Sequence, residues 1–243
     1  MEERPILFST PMAIATVEGR KDQTRRILSP QPAQHHWQAM PGYQRRFAVM
    51  PTQQGLCARV SHHYLGREDD VQWIKCPYGV PGDRLWGKET FYAWGRWETR
   101  FDAKLRRDAW HFVDMTRESD RQYLFSEPEG HKKGIRGGVT PNWWKRPAIF
   151  MPRVASRIYR EIVSVRAEQV QDISEADAIA EGLIQWSDPP RMPDTYYGLT
   201  RADVWETDPR KAYARLWDEI NGKRAPWKSN PFVWAIQYKP VEE

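Results

Sequence analysis

The sequence predicts an α+β fold in which a small β-barrel or a curled sheet carries a few packed helices. Three observations support this prediction. Several short segments alternate as strands do, helical periodicity is confined to a few places, and 15 Gly and 19 Pro provide frequent turns. A chain of 243 residues, 40% of them hydrophobic, is long enough to bury a core.

Three helices are marked by their end signals. The first is predicted over residues 11–18, where Gly19 supplies a left-handed stop. The second begins after Ser174, a favoured N-cap residue, and ends at Gly182. The third covers residues 209–220 and closes before an Asn-Gly pair. Its apolar stripe consists of Ala212, Tyr213, Leu216, Trp217 and Ile220.

The strands follow from period-two alternation. This pattern predicts strands over residues 83–91, 157–170 and 231–238. Residues 109–115 and 122–125 are expected to form either a hairpin or part of a flanking insertion. Three segments rich in Pro, Gly, Arg and Trp are expected to be insertions or long loops, namely 29–73, 94–146 and 184–208.

Composition excludes several classes of protein. Two cysteines, Cys57 and Cys76, cannot build a disulfide framework, and no pair of them has zinc-ligand spacing. The first residues lack the basic and apolar runs of a signal peptide, and no apolar stretch is long enough for a membrane span. We therefore expect a cytoplasmic protein without a membrane partner. Neither a metal-ligand motif nor a nucleotide-binding glycine loop is found, so no metal and no cofactor is predicted.

A modest positive charge and many aromatic residues are compatible with a nucleic-acid partner. The formal net charge is +5, and the chain contains 13 Trp, 10 Tyr and 8 Phe. Aromatic rings beside cations suit base stacking and phosphate contact, but tryptophans more often fill cores. Composition alone leaves both interpretations open.

The first candidate site directly follows the first predicted helix. Its cations are Arg20, Lys21, Arg25 and Arg26, and the hydroxyl of Thr24 lies three positions after the lysine. Crowding by arginines would lower the pKa of Lys21 and make it a better base, while its ammonium form could bind phosphate or polarise a carbonyl. A solvated basic turn at a helix C-terminus would have the same composition.

Glu181 is the second candidate, because it lies at the C-terminal end of the second predicted helix. A carboxylate there is disfavoured by the helix dipole, so a partner such as a lysine is expected.

A third candidate is a basic, glycine-rich segment followed by a pair of tryptophans. Lys132, Lys133, Arg136, Trp143 and Trp144 resemble a clamp on single-stranded nucleic acid. The alternative interpretation is a mobile loop docked by its tryptophans.

The chain resembles ASCH-domain proteins, a family with a PUA-like fold related to RNA-binding modules. The resemblance rests on Gly-Arg-Lys-x-x-Thr-x-Arg at 19–26 and on two further segments in matching order, 81–86 and 173–182. Three longer segments, 75–79, 150–157 and 220–224, are similar to those of larger ASCH proteins from tailed phages and prophages. The resemblance implies a single domain, 1–243, located in a bacterial host cytoplasm. Its core would be approximately 4–28, 74–93, 147–183 and 209–241.

The resemblance also implies an activity. One branch of the family consists of small amidohydrolases that act on N(4)-acetylcytidine with a lysine, a threonine and a glutamate. In this sequence these residues correspond to Lys21, Thr24 and Glu181. Either Lys21 activates Thr24 as the nucleophile, or Glu181 activates water while Lys21 stabilises the oxyanion. Other ASCH proteins are described as RNA-binding or ribonucleolytic, so the partner implied is a modified cytosine nucleoside or a single-stranded nucleic acid.

Overall fold

The protein has an α+β fold in which more residues lie in strands than in helices. The computed structural model describes residues 1–33, 39–133, 139–188, 192–198 and 206–241. Strands account for 47% and helices for 18%, which confirms the predicted class. The chain divides into two compact units. Unit 1 contains 1–6, 11–86 and 158–243, and unit 2 contains 7–10 and 87–157. The prediction of one domain with three insertions stays a prediction.

The largest sheet has five strands in the order β1-β6-β10-β13-β2. Their bounds are β1 Glu3–Leu7, β2 Gln23–Ile27, β6 Arg84–Lys88, β10 Tyr159–Gln169 and β13 Phe232–Pro240. Strand β13 lies between two neighbours, so five successive residues starting at Phe232 are buried. Strands β10 and β13 closely match the predicted segments 157–170 and 231–238. The first predicted strand is shorter than expected, because β6 ends at Lys88 and the next strand begins at Phe91.

The sheet does not form the closed barrel that the sequence predicted. Its edge strands in the described residues are β1 and β2, and the sheets are not closed on themselves. The barrel prediction is therefore not confirmed. Short strands and frequent turns do not distinguish a barrel from an open twisted sheet, because both need the same local signals.

All three predicted helices are present, as α1 Thr10–Val17, α2 Glu175–Ala180 and α3 Pro209–Asn221. Helix α1 is followed by Gly19 at a φ of 76°, the left-handed stop that the sequence indicated. Helix α2 has Ser174 as its N-cap, whose hydroxyl accepts a hydrogen bond from the Asp177 amide at 3.0 Å. Single-turn 3-10 helices lie at Ala148–Phe150, Arg153–Ala155, Val170–Asp172 and Trp227–Ser229. No helix in the described ranges is both long and apolar enough to cross a bilayer.

Two of the expected loop segments contain sheets of their own. Residues 29–73 include most of a three-stranded antiparallel sheet, formed by β3 Gln44–Thr52, β4 Gly55–Tyr64 and β5 Arg67–Lys75. Residues 184–208 include a hairpin, formed by β11 Ile184–Asp188 and β12 Met192–Gly198. The expectation of long loops was wrong for these segments, because cross-strand pairing organises residues whose composition is typical of turns.

Unit 2 is built on a fourth sheet with the order β8-β7-β9. Its strands are β7 Phe91–Asp102, β8 Arg107–Asp114 and β9 Asn142–Arg146. Strands β8, β9 and most of β7 therefore lie within the predicted insertion 94–146. Residues 109–115 pair with β7 and not with 122–125, so the predicted hairpin is wrong. Only an isolated bridge joins Leu124 to Tyr92.

Candidate functional site

Backbone pairing brings Lys21 and Glu181 together across 160 positions of sequence. The two residues form an antiparallel bridge, and the Asp22 amide donates to the Ala180 carbonyl at 3.1 Å. Gly182 permits this approach, since a Cβ there would lie 3.1 Å from the Lys21 Cβ, at a φ of 100°. The glycine that ends α2 therefore also provides space for the lysine.

The Lys21 ammonium makes a buried ion pair with the Glu181 carboxylate. Nζ lies 2.6 Å from Glu181 Oε2, 2.8 Å from the Glu181 carbonyl oxygen and 2.7 Å from the Gln23 carbonyl oxygen. Lys21 is 2% exposed and Glu181 3%. An ammonium has three protons to donate, and here each has an acceptor.

Opposing influences act on the pKa of Lys21. Burial, the largest of them, lowers this pKa from its ordinary value, while the charge and hydrogen bond of Glu181 raise it. The nearby charges of Arg26 and Arg25 lower it further. The sequence-based expectation that arginines depress the pKa of Lys21 has the right direction, although desolvation is the main cause.

Arg25 extends this pair into a network of charged side chains. Its guanidinium is fully buried and contacts Glu168 at 2.6 Å, Asp177 at 3.0 Å and Glu181 at 3.3 Å. Arg166 also contacts Asp177, at 2.9 Å. These ion pairs connect three cations with three anions, namely Lys21, Arg25 and Arg166 with Glu168, Asp177 and Glu181. Asp177 and Arg166 are partly exposed, so the network reaches from the interior to the surface.

Tyr213 belongs to this network, although the sequence placed it only on the apolar stripe of α3. Its hydroxyl donates to Glu181 Oε1 at 3.4 Å, and its ring lies 6.0 Å from the Arg25 guanidinium carbon. Burial and the neighbouring Glu181 charge raise the pKa of Tyr213 well above its ordinary value, which keeps the phenol protonated. Its helix position could not reveal this role, since tyrosine is also a common core residue.

Thr24 is buried on β2 between Gln23 and Arg25, and pairs with Ile236 of β13. Successive side chains of a strand project to opposite faces. The Thr24 hydroxyl therefore lies on the face opposite the Arg25 guanidinium. Of the three predicted catalytic residues, the structure joins Lys21 to Glu181 by direct contact and places Thr24 on the adjoining strand.

The remaining cations of the 19–26 segment have different surroundings. Arg20 donates to the Gly182 carbonyl oxygen at 2.9 Å and pairs with Glu18 at 2.6 Å, so it braces the turn after α2. Arg26 is half-buried on β2 and acts on Lys21 through its charge. The interpretation as a wholly solvated basic turn is wrong, because Lys21 and Arg25 are buried.

The predicted clamp is only partly available at the surface of unit 2. Lys132 and Lys133 are exposed, and Trp143 is half-buried against Trp94, with ring centroids 5.7 Å apart. Trp144 is 1% exposed, and its indole donates to the Gly95 carbonyl oxygen at 2.9 Å. This position is that of a core side chain and does not suit base stacking. Arg136 lies outside the described residues.

Within the described ranges, no group of three or more His, Cys, Asp or Glu side chains could hold a metal ion. No protein-family model matches the chain, and no curated protein and no solved structure matches it either.

Proposed function

We propose that the chain is an ASCH-type hydrolase with a PUA-like core that removes the acyl group from an N-acylated cytosine nucleoside, such as N(4)-acetylcytidine. The observation that carries the proposal is the buried contact between Lys21 and Glu181. A buried lysine whose pKa is lowered by desolvation and which has a specific charged partner is a common mark of a functional site. The contact also joins two of the three residues that the family resemblance singles out.

The geometry favours water activation by Glu181 over nucleophilic attack by Thr24. For Lys21 to deprotonate Thr24, Nζ needs a lone pair, yet its three acceptors favour the ammonium form. In the proposed reaction Glu181 removes a proton from water, and the hydroxide adds to the acyl carbonyl carbon. The Lys21 ammonium stabilises the resulting oxyanion. The C–N bond then breaks as Glu181 returns the proton to the exocyclic nitrogen, giving cytidine and a carboxylic acid.

This reaction requires the ion pair to open when substrate binds. Lys21 and Glu181 are almost inaccessible, so the substrate carbonyl and the attacking water must replace part of their mutual contact. Arg25 and Tyr213 hold Glu181 Oε1 at 3.3 Å and 3.4 Å, which leaves Oε2 as the oxygen that would exchange Lys21 for water. Thr24 has no step in this scheme, because its side chain lies on the face of β2 opposite Arg25.

The second candidate is a nucleic-acid-binding protein without turnover. The exposed side chains of Lys132 and Lys133 favour it, since among the described residues their one ion pair is a 3.4 Å contact between Lys133 and Glu127, and exposed ammonium groups suit phosphates. A ribonuclease centred on Lys21 and Glu181 is less well supported, because their network pairs its cations with carboxylates.

A chromatographic assay of N(4)-acetylcytidine turnover tests the proposal. We expect wild type to release cytidine, and Glu181→Gln to lose about 10²–10⁴-fold in turnover, the usual contribution of a general base. Glu175→Gln is the matched control, because it makes the same change at an exposed position of α2. Each variant is first checked for folding by circular dichroism.

Three outcomes would redirect the proposal. Absence of wild-type turnover on both the nucleoside and an acetylated oligonucleotide would favour the binding protein. Full turnover by folded Glu181→Gln would exclude the proposed site. An acyl group trapped on Thr24 and detected by mass spectrometry would replace the water mechanism with the nucleophilic one.

A further inference from the structure

Unit 2 contains a cavity that no part of the proposed reaction uses. It has a volume of about 490 Å³, within the range of small-molecule sites. Its lining is mainly aromatic and basic, and includes Trp97, Trp110, Phe112, Lys145, Arg146 and Phe150. Strand pairing explains why aromatic rings cluster here. Trp97 of β7 lies opposite Phe112 of β8, and Trp110 lies two positions before Phe112, on the same face of β8.

Arg146 lies among the rings of this cavity. Its guanidinium carbon is 4.3 Å from the ring centroid of Phe112, 4.9 Å from Trp97 and 5.0 Å from Phe150. Such stacking holds the planar guanidinium in a fixed orientation and leaves its N–H donors at the edge. Burial lowers the pKa of Arg146, with the Asp114 charge acting in the opposite direction. The site therefore disfavours an unpaired cation and would gain from an anion.

Unit 2 provides a direct comparison in Arg157. The Arg157 guanidinium also stacks on an aromatic ring, with its carbon 4.1 Å from the ring centroid of Phe125. Unlike Arg146, it forms a bidentate ion pair with Glu89, at 2.9 Å and 3.0 Å. Arg146 forms no ion pair with a carboxylate in the part of the chain that the structure describes. Both arginines stack on aromatic rings, but among the described residues only Arg157 is paired with a carboxylate.

Two polar atoms of residues that line the cavity, Trp97 Nε1 and His111 Nε2, are buried and have no hydrogen-bond partner among the described residues. Trp97 is 6% exposed. Leaving a buried polar atom unpaired is costly. Trp110 and Phe150, by contrast, are 40% and 61% exposed and offer ring surface to a ligand.

We propose that this cavity is a nucleotide site, in which the phosphate lies on Arg146 and the base stacks on Trp110 or Phe150. A simple anion would satisfy Arg146 but leave the exposed rings uncovered, and an uncharged aromatic ligand would leave Arg146 unpaired. A nucleotide supplies both an anion and a planar ring. The site is distinct from the Lys21–Glu181 network and goes beyond the proposed hydrolysis.

Isothermal titration calorimetry with 5′-CMP tests this inference. Cytidine and inorganic phosphate serve as the two halves of the ligand, and each is expected to bind at least about tenfold more weakly than CMP. Arg146→Gln should weaken CMP binding about tenfold or more, while Arg146→Lys, which keeps the charge but not the planar fork, should recover part of it. A short oligocytidylate distinguishes a nucleic-acid strand from a free nucleotide as the ligand. If it binds more tightly than CMP, the ligand is a nucleic-acid strand, and if it binds equally, the ligand is the free nucleotide.

Exposed tryptophans provide the matched control. Trp110→Ala should weaken both CMP and cytidine, whereas Trp73→Ala removes a 50% exposed tryptophan from β5 of unit 1 and should change neither. These surface variants keep the test decisive even if an Arg146 variant does not fold. Glu175→Gln, an exposed change on α2 of unit 1, should bind CMP as wild type does.

The inference is overturned if CMP binds no more tightly than phosphate, or if Arg146→Gln and Trp110→Ala both bind it as wild type does. Loss of CMP binding in Glu181→Gln, with retention in Arg146→Gln, would place the nucleotide in unit 1. Absence of deacetylation together with intact CMP binding would refute only the proposed hydrolysis.

Discussion

Replacing Glu181 by glutamine should destabilise the protein far more than the loss of an exposed ion pair of the same length. The Lys21–Glu181 contact is 2.6 Å long with side chains 1% and 4% exposed, whereas the Arg20–Glu18 contact is also 2.6 Å long with side chains 31% and 51% exposed. Glu181→Gln and Glu18→Gln therefore make the same chemical change at a buried and at an exposed ion pair. Glu181 also contacts Arg25 and Tyr213, so the comparison measures the loss of all its buried charge contacts.

The expected costs follow from that difference. Removing one partner of a buried pair costs about 3–5 kcal/mol, because the remaining charge stays in the interior without compensation. We expect about 3 kcal/mol for Glu181→Gln, the lower end, since Lys21 keeps two carbonyl acceptors and the glutamine oxygen can supply the third. Glu18→Gln should cost about 0–1 kcal/mol.

The pH dependence of the difference has a definite sign. In wild type the Glu181 charge opposes the lowering of the Lys21 pKa by burial, so without Glu181 this pKa falls further. Lys21 therefore has a lower pKa in the folded variant than in folded wild type. At a pH between these two values, Lys21 has lost its proton in the folded variant and still holds it in folded wild type. The free-energy difference between wild type and Glu181→Gln should therefore shrink as pH rises towards 10.5, the ordinary lysine pKa.

Urea unfolding at several pH values, followed by circular dichroism, measures both quantities. The reasoning is refuted if Glu181→Gln costs no more than Glu18→Gln near pH 7. It is also refuted if the free-energy difference between wild type and Glu181→Gln grows as pH increases. Loss of the Lys21 proton removes a buried charge that has no carboxylate partner, so it can only stabilise the folded variant.

Three further predictions concern single positions. Gly95→Ala should cost about 3 kcal/mol or more in thermal unfolding, because the new Cβ would lie 2.1 Å from the Val113 carbonyl oxygen; a cost below about 1 kcal/mol would contradict the β7–β8 pairing. Ser174→Ala should cost about 1 kcal/mol in urea unfolding, and Ser174→Asp should restore most of it; equal stability of both variants would exclude the cap of α2. Burial raises the pKa of the Cys76 thiol to about 11, so in a Cys57→Ser background about one thiol in a thousand is ionised near pH 8. Iodoacetamide should label this cysteine only after unfolding, and rapid labelling of the folded protein would show that it is accessible.

Local signals in the sequence predicted the elements whose ends carry their own chemistry. The cap at Ser174, the stop at Gly182 and the apolar stripe of α3 each depend on neighbouring residues, and all three helices are present. Helix α2 places Glu181 at its C-terminal end, as predicted. The need for a cationic partner at that helix end also followed from elementary electrostatics, and Lys21 fills it.

Long-range pairing was not predictable in the same way. Strand β3 contains consecutive arginines at Arg45 and Arg46, so its alternation was obscured, and its order comes from pairing with β4. Asp177 lies in the first turn of α2, and its carboxylate contacts Gln23 at 2.9 Å and Arg25 at 3.0 Å. These contacts depend on where β2 passes α2, which no single segment determines.

Charge balance separates the chemistry expected at the two sites. The network around Lys21 and Glu181 already contains a carboxylate for each of its three cations, so a phosphate would have to displace an internal anion from Lys21 or Arg25. An uncharged acyl group adds no negative charge to the network and need not displace a carboxylate. The Lys21–Glu181 site therefore favours amide hydrolysis over phosphodiester cleavage. The Arg146 cavity has the opposite character, because its stacked guanidinium has no ion pair with a carboxylate in the described residues. Raising the salt concentration should therefore weaken CMP binding while leaving the KM for the neutral nucleoside unchanged. A parallel response of both quantities would mean that one site serves both ligands.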